Sequence, residues 1–306
     1  MPSNNENKPR VELSIVLISY NTASITRDTI DSIYKSLKNW DRQTFEVIVL
    51  DNGSKDNSIE VLEQLQKKHA NLVLHKSTKN LGFSNGNNEA FKLVHGEYVF
   101  FLNSDIIVLD DAIDQLFNFY KQKVKDVQFV GGKLYNTDRT PQASCGPFYT
   151  PWIVFGALFL RGDYWGLTRS SPDVTVKTDW VSGACILTKS SLFKEMNGFD
   201  RDIFMYMEEI DLLYRASQKG YNTYFYPNAH FIHLGSASSG GKTFPILQVY
   251  EGFLYFYKKH YGKNYVRMLR FMLQLKALIA LWIGKITHNT YLINTYEQAY
   301  KIASMD

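Results

Sequence analysis

The sequence predicts an α/β fold: a mostly parallel sheet flanked by helices, followed by a helical C-terminal extension. Three observations predict it. Short apolar runs alternate with segments of helical periodicity over roughly the first 125 residues, the pattern of strands joined by crossover helices. Two of those runs end in clusters of Asp, Asn, Gly and Ser, the residues that make turns where a buried strand emerges. From about residue 243 the alternation gives way to apolar, basic segments at helical spacing.

Residues 13–19 (LSIVLIS) form a continuous apolar run and read as a buried strand, closed by Tyr20, Asn21 and Thr22. Residues 26–37 carry Ile30, Ile33, Tyr34 and Leu37 at helical intervals. A second strand is expected over 45–50, a helix over 58–69 and a third strand over 72–75. Gly82, Phe83 and Ser84 lead into a helix over 85–94, and a fourth strand follows at 98–102. Asp110 or Asp111 then complements the dipole of a helix over 111–123. Residues 129–135 read as a strand, whereas 136–171 are irregular and rich in aromatics, Gly and Pro. A loop that long in a compact domain points to function. Strands at 180–188 and 223–226 and helices at 190–196 and 208–219 complete the sheet-bearing part. The expected organisation is a disordered lead-in over 1–10, a catalytic α/β domain over 11–242 and the helical extension over 243–306.

Apolar residues make up 45% of the chain, enough for a sizeable core. A net charge of +4 suits anionic small molecules or an anionic membrane surface. No basic, aromatic-interleaved stripe marks a nucleic-acid binder. Cys145 and Cys185 offer no disulfide framework or metal spacing, so reduced thiols and a cytoplasmic location are expected. Cys185, in an apolar strand, reads as a small core hydrophobe. Residues 1–10 lack the apolar stretch of a signal peptide. In the extension, residues 277–284 are uncharged but far shorter than the ~20 needed to span a bilayer. A helix lying in the membrane interface is one reading, and a helix packed on the catalytic domain or at a homodimer contact is the other.

Candidate chemistry gathers at strand ends, where ligands of open α/β sheets bind. Asp51 and Asn52 follow the second strand; Asp51 is free to accept hydrogen bonds from a base or ribose, since Asp56 or Asn57 better caps the next helix. The loop Asn80-Leu81-Gly82-Phe83-Ser84-Asn85-Gly86-Asn87-Asn88 offers amide donors ahead of a helix, an anion cradle or a plain turn. It is not a dinucleotide fingerprint. Asn103, Ser104 and Asp105 end the fourth strand, and the carboxylate of Asp105 fits a hard cation, Mg²⁺ or Mn²⁺. A second acidic centre, Glu208, Glu209 and Asp211, opens a helix. Neighbouring carboxylates raise one another's pKa, as a general base needs, although an acidic first turn also serves the helix dipole. Spacing puts Glu208 and Asp211 on one helical face, with Glu209 pointing elsewhere. His233 is placed to complete a metal site, with His230 the weaker candidate.

Taken in order, the segments resemble a family 2 glycosyltransferase of GT-A fold, in its rhamnosyltransferase-like branch. The resemblance rests on residues 15–21, 49–54, Asn80 to Phe83 with Gly86-Asn87-Asn88, Leu102-Asn103-Ser104-Asp105, Ser182-Gly183-Ala184, Gly198-Phe199-Asp200, the block with Asp211, Leu212 and Arg215, and His233. It covers roughly residues 13 to 240. It implies that Tyr20, Asn21, Asp51, Asn52, Asn103 and Ser104 serve the donor nucleotide sugar, and that Gly82, Phe83 and Asn87 shape its pocket. Asp105, with His233, would hold the metal. The catalytic base of the family aligns with Glu209, where related chains often have Asp, and Glu208 is the reserve. The implied donor is dTDP-rhamnose, with a UDP-sugar second, and the implied acceptor is a glycan or a lipid-linked glycan at the inner face of the plasma membrane. An inactive donor-binding scaffold is the competing class, and the intact Asp105 and acidic block speak against it.

Overall fold

The computed structural model describes residues 11–235 and 243–305, so the lead-in over 1–10 and most of the Gly/Ser-rich segment 235–241 lie outside the described residues. In chain order the first half comprises β1 (Leu13–Ser19), α1 (Ala23–Ser36), β2 (Phe45–Asp51), α2 (Ser58–Lys68), β3 (Leu72–Lys76), α3 (Gly82–Phe91), β4 (Tyr98–Leu102), β5 (Ile106–Val108), α4 (Ala112–Gln122), β6 (Phe129–Tyr135), β7 (Pro141–Gln142) and β8 (Cys145–Gly146). The second half comprises α5 (Pro151–Phe159), β9 (Val176–Thr178), β10 (Trp180–Val181), β11 (Cys185–Lys189), α6 (Ser190–Glu195), α7 (Glu208–Gln218), β12 (Thr223–His233), α8 (Thr243–His260), α9 (Lys263–Ile286) and α10 (Thr290–Ser304).

The main sheet runs β3-β2-β1-β4-β11-β6-β12-β5. The first four strands are mutually parallel, as the βα alternation requires. β1, β2 and β4 are buried on both faces and apolar at most positions, whereas β3, at the sheet edge, is half-buried and ends in His75 and Lys76. Ile15, Leu17, Val47, Val49 and Phe100 face one core with Ile30, Ile33 and Leu116 of the helices on that side. Val16, Ile48 and Phe101 face the other, with Ala90, Phe193 and Leu212. The helices therefore cover both faces, as expected.

Beyond β4 the sheet becomes mixed. The apolar run 180–188, expected to be one strand, is two: β10 pairs with β8, and β11 pairs antiparallel with β4. Between them lies Ser182-Gly183-Ala184. β12 extends to His233, well past the expected end at Tyr226, because a register shift between Tyr226 and His230 absorbs Pro227, which has no N–H to give a ladder. The extension pairs with β5, a three-residue strand not anticipated. The irregular stretch 136–171 contains α5, and α3 begins at Gly82 rather than residue 85.

The C-terminal helices share the second core: Tyr250, Phe253, Phe256 and Tyr257 of α8, Leu269 and Leu273 of α9, and Ala299 and Ala303 of α10 pack with Leu212 and Leu213. No described helix is long and apolar enough to cross a membrane.

Both cysteines are free and buried. Burial pushes the Cys185 thiol up to about 12 and raises that of Cys145 as well. The thiolate is the reactive species. A disulfide-exchange reagent at mildly alkaline pH is thus expected to leave both thiols untouched until denaturant unfolds the chain; rapid titration of the native protein would contradict this packing.

Candidate active site

One cavity of about 500 Å³ opens at the carboxyl ends of β1, β2 and β4. It is lined by ten of the residues singled out above: Tyr20, Asn52, Gly82, Phe83, Asn103, Ser104, Asp105, Glu208, Glu209 and His233.

The β4–β11 register opposes Leu102 to Cys185, and the Asn103 N–H donates to the Ala184 carbonyl at 3.0 Å. This holds the Asn103-Ser104-Asp105 turn beside Gly183. On its other side the β5–β12 pair opposes Ile106 to His233, and the Leu234 N–H donates to the Asp105 carbonyl at 2.9 Å. His233 Nε2 consequently lies 3.3 Å from Asp105 Oδ1. The Gln142 side-chain carbonyl, 2.8 Å from Nδ1, keeps the imidazole proton on that nitrogen and turns the Nε2 lone pair toward the carboxylate. Asn103 Oδ1 is buried without a partner. The Asn103 amide nitrogen lies 3.4 Å from His233 Nε2, and the Asp105 carboxylate with the His233 imidazole offers two donors to a hard or borderline divalent cation. Among the described residues no group of three His, Cys, Asp or Glu side chains converges.

The acid pair comes from α7. Tyr206 and Met207 both have positive φ, 66° and 73°, and this twist delivers Glu208 and Glu209 together into the cavity. The Glu209 chain runs over Gly183. Glu208 Oε2 and Glu209 Oε2 are both buried and unpartnered. Burial first, and the neighbouring Glu209 charge second, push the Glu208 carboxyl well above the ordinary carboxylate range. Burial raises Glu209 as well, against backbone hydrogen bonds that lower it.

Asp211, expected to share a face with Glu208, does not line the cavity. Its carboxylate is turned to α8, where it accepts from Lys259 and His260, each at 2.7 Å, and from Arg215 Nε at 2.7 Å. Burial would raise its pKa, but those partners overcome it and hold the group at about 2. Lys259 also pairs with Asp200, and Arg215 also donates to the Met196 and Gly198 carbonyls, so Asp211 ties α7 to α8 and to the 196–200 turn.

Three other expected donor contacts do not line the cavity. Asp51 is fully buried, one oxygen accepting from the Ser54 N–H and the other unpartnered. Asn21 pins two loops through the Ser54 hydroxyl and the Lys55 N–H. Asn87 donates back to the Phe83 carbonyl of its own helix. Asn52 lines the cavity and also clamps the following loop, bonding Asn80, the Leu81 N–H and the Gly82 carbonyl. The start of α3 is not an open anion cradle: the Gly82 N–H is taken by Asn80 and the Phe83 N–H by the Phe204 carbonyl. Gly82, at φ 77°, is required there, since a Cβ would fall 2.5 Å from the Phe204 oxygen. His230 packs edge-on against Tyr135, away from the site.

Phe204, Met205 and Tyr206 also line the cavity and were not anticipated. The only sequence signal for them is an aromatic and Met run just ahead of the acidic block. Gln142 carries no signal in its irregular surroundings.

The family model for "Glycosyl transferase family 2" matches residues 14–174. A poly(ribitol-phosphate) beta-glucosyltransferase of Bacillus spizizenii is 31% identical over 125 residues, 40% of this chain but only 19% of that relative. The chain therefore spans about a fifth of that protein. Rhamnosyltransferase WbbL of Escherichia coli is 29% identical over 216 residues, covering 66% of this chain and 78% of the relative. Among solved structures, a mannosyltransferase from Pyrobaculum calidifontis in complex with GDP-Man and Mn²⁺ superposes with a TM-score of 0.60 at 17% identity, over 96% of this chain and 86% of that one, a likeness of fold.

The buried carboxyls generate two expectations. At low pH the folded and unfolded chains both hold the Glu208 proton; as pH rises the unfolded carboxyl ionises first, and folding loses stability until the folded carboxyl ionises too. In metal-free protein, Glu208→Gln is expected to leave Tm unchanged at about pH 4 and to raise it progressively toward higher pH; a Tm gain independent of pH would contradict the assignment. Asp211→Asn removes the anion that Arg215 and Lys259 pair with and is expected to cost about 3–5 kcal/mol in urea unfolding.

Proposed function

The chain belongs to glycosyl transferase family 2, and from that premise we propose that it is an inverting, metal-dependent transferase carrying a sugar from a nucleoside diphosphate to an acceptor hydroxyl. The observation that carries this reading is the pairing, in one cavity, of the Asp105–His233 cluster with the Glu208–Glu209 acid pair. Rhamnose from dTDP-rhamnose is the favoured donor, in keeping with the E. coli rhamnosyltransferase, and a UDP-sugar is second. A glycan or lipid-linked glycan of a bacterial surface polysaccharide is the acceptor, met at the cytoplasmic face of the plasma membrane. The catalytic domain over 11–242 bears the chemistry, with the helices after 243 as its extension.

Asp105 and His233 would hold Mg²⁺ or Mn²⁺, which when bound would neutralise the leaving diphosphate as a Lewis acid. The Pyrobaculum structure with GDP-Man and Mn²⁺ supports that choice of ion class. Burial raises both carboxyls of the pair, as a group that must accept a proton near neutral pH requires, and the family resemblance assigns the role of base to Glu209. Glu209 takes the proton of the acceptor hydroxyl as that oxygen forms its bond to the anomeric carbon. The bond from that carbon to the diphosphate oxygen breaks on the opposite face, so the centre inverts in one displacement. Tyr20, Asn52, Gly82, Phe83 and Ser104 shape the donor side of the cavity. Asn21, Asp51 and Asn87 support it from behind, and Asp211 positions α7 without touching substrate.

A thermal-shift panel of nucleoside diphosphates and nucleotide sugars with and without Mn²⁺, followed by turnover, tests this. Asp105→Ala is expected to abolish the metal-dependent part of nucleotide binding. Glu209→Gln is expected to bind donor normally and lose roughly 100- to 10,000-fold in turnover. Normal turnover by Glu209→Gln would remove Glu209 from the role of base.

A further inference from the structure

Most of the exposed large apolar side chains fall in two segments far apart in sequence, 152–167 and 265–286. In α9, Met268, Phe271, Leu275, Leu278, Ile279, Trp282 and Ile286 recur every three or four residues on one face, with Phe271 65% and Trp282 67% exposed. The opposite face is already occupied, since Leu269, Met272, Leu273 and Ala277 are packed into the core. A helix apolar on both faces needs a second apolar partner.

The structure supplies a second wall to this surface. Helix α5 packs on α9, and Lys276 Nζ donates to the Leu158 carbonyl at 2.9 Å. The chain after α5 folds back on it, with the Gly162 N–H donating to the Gly156 carbonyl and the Leu167 N–H to the Gly162 carbonyl, each at 2.9 Å. This built loop presents Tyr164, 78% exposed, with its ring edge-to-face against Trp165, and α5 itself presents Trp152, 83% exposed. Tryptophan and tyrosine are the side chains that favour the boundary between water and lipid.

Charge identifies the occupant. The 24 residues of α9 contain Lys263, Arg267, Arg270, Lys276 and Lys285 and no acidic residue. At 100° per residue, Arg267 and Lys285 flank one edge of the apolar stripe and Lys276 the other. The one acid of the α5 loop, Asp163, is paired with Arg169 at 2.6 Å. A second copy of the chain docked symmetrically on this face would set cations against cations. An anionic surface would not.

We infer that α5, the 160–167 loop and α9 form a docking face for the anionic surface of a lipid bilayer, both helices lying in the plane of the interface. The inference deepens the proposed transferase reading, because a lipid-linked acceptor is presented at that surface, yet it does not depend on turnover.

The full chain is tested by co-sedimentation with vesicles of phosphatidylcholine alone and of phosphatidylcholine containing roughly a third phosphatidylglycerol. Binding to the anionic vesicles, weakened by salt, is expected. Phe271→Glu with Trp282→Glu, and separately Trp152→Glu with Trp165→Glu, are each expected to lower the partition coefficient at least ~10-fold. Lys123→Glu, on α4's exposed C-terminal end, is expected to change it little. Nucleotide binding by thermal shift reports that each variant is folded. Should the parent chain bind anionic vesicles but no nucleotide, the transferase reading fails and the docking face stands. No vesicle binding, or vesicle binding indifferent to both pairs of substitutions, overturns the inference. A dimer in analytical ultracentrifugation that the same substitutions dissociate, without vesicle binding, overturns it in favour of self-association.

Discussion

The antiparallel ladder between β11 and β4 fixes where chemistry is possible in this molecule. Parallel strands β1, β2 and β4 bring their carboxyl ends to one rim, but a rim alone is a row of turns. By running the other way beside β4, β11 places its own start, Ser182-Gly183-Ala184, against Asn103. Gly183 then lies under Glu209, and the metal-binding candidates and the acid pair meet. Moving that ladder by one residue would turn the side chains of β11 to the opposite face and dissolve the arrangement.

Two buried carboxyls side by side are electrostatically unfavourable, and the fold offsets them nearby. Asp211, one helical turn along from Glu208, gathers Arg215, Lys259 and the His260 imidazole and clamps α7 to α8. Its ion network anchors the same helix end that carries the strained Tyr206–Met207 twist. Backbone held in the left-handed region by non-glycine residues persists where its surroundings over-determine it.

Much of this was legible in the sequence, for identifiable reasons. β1, β2 and β4 are buried on both faces, so they are written as mostly apolar runs, and the helices between them carry clear stripes. Asp105, Glu208, Glu209 and His233 were found because each follows or opens such an element. Where the physics is not local, the sequence is mute. β5 is three residues long and exists because β12 pairs with it; β12 reaches that point by bulging around Pro227, which read as a stop. The face to which Asp211 turns depends on cations some fifty residues downstream in α8. Gln142, which orients His233, and Phe204, which closes on Gly82, are assigned by tertiary contact alone. The split of the 180–188 run at Gly183 had a visible cue, the glycine itself, but periodicity outweighed it.

Gly252 of α8 bears on the aim of the acid pair. A Cβ there would come within 2.8 Å of Met207 Cγ, so the smallest residue in the C-terminal region makes room for the twist that aims the acid pair. Together with Lys259 and His260, it makes α8 a structural element of the reaction centre. Any side chain larger than hydrogen at position 252 would therefore press on Met207, so a change on a C-terminal helix remote in sequence would be transmitted to the backbone twist that precedes Glu208 and Glu209.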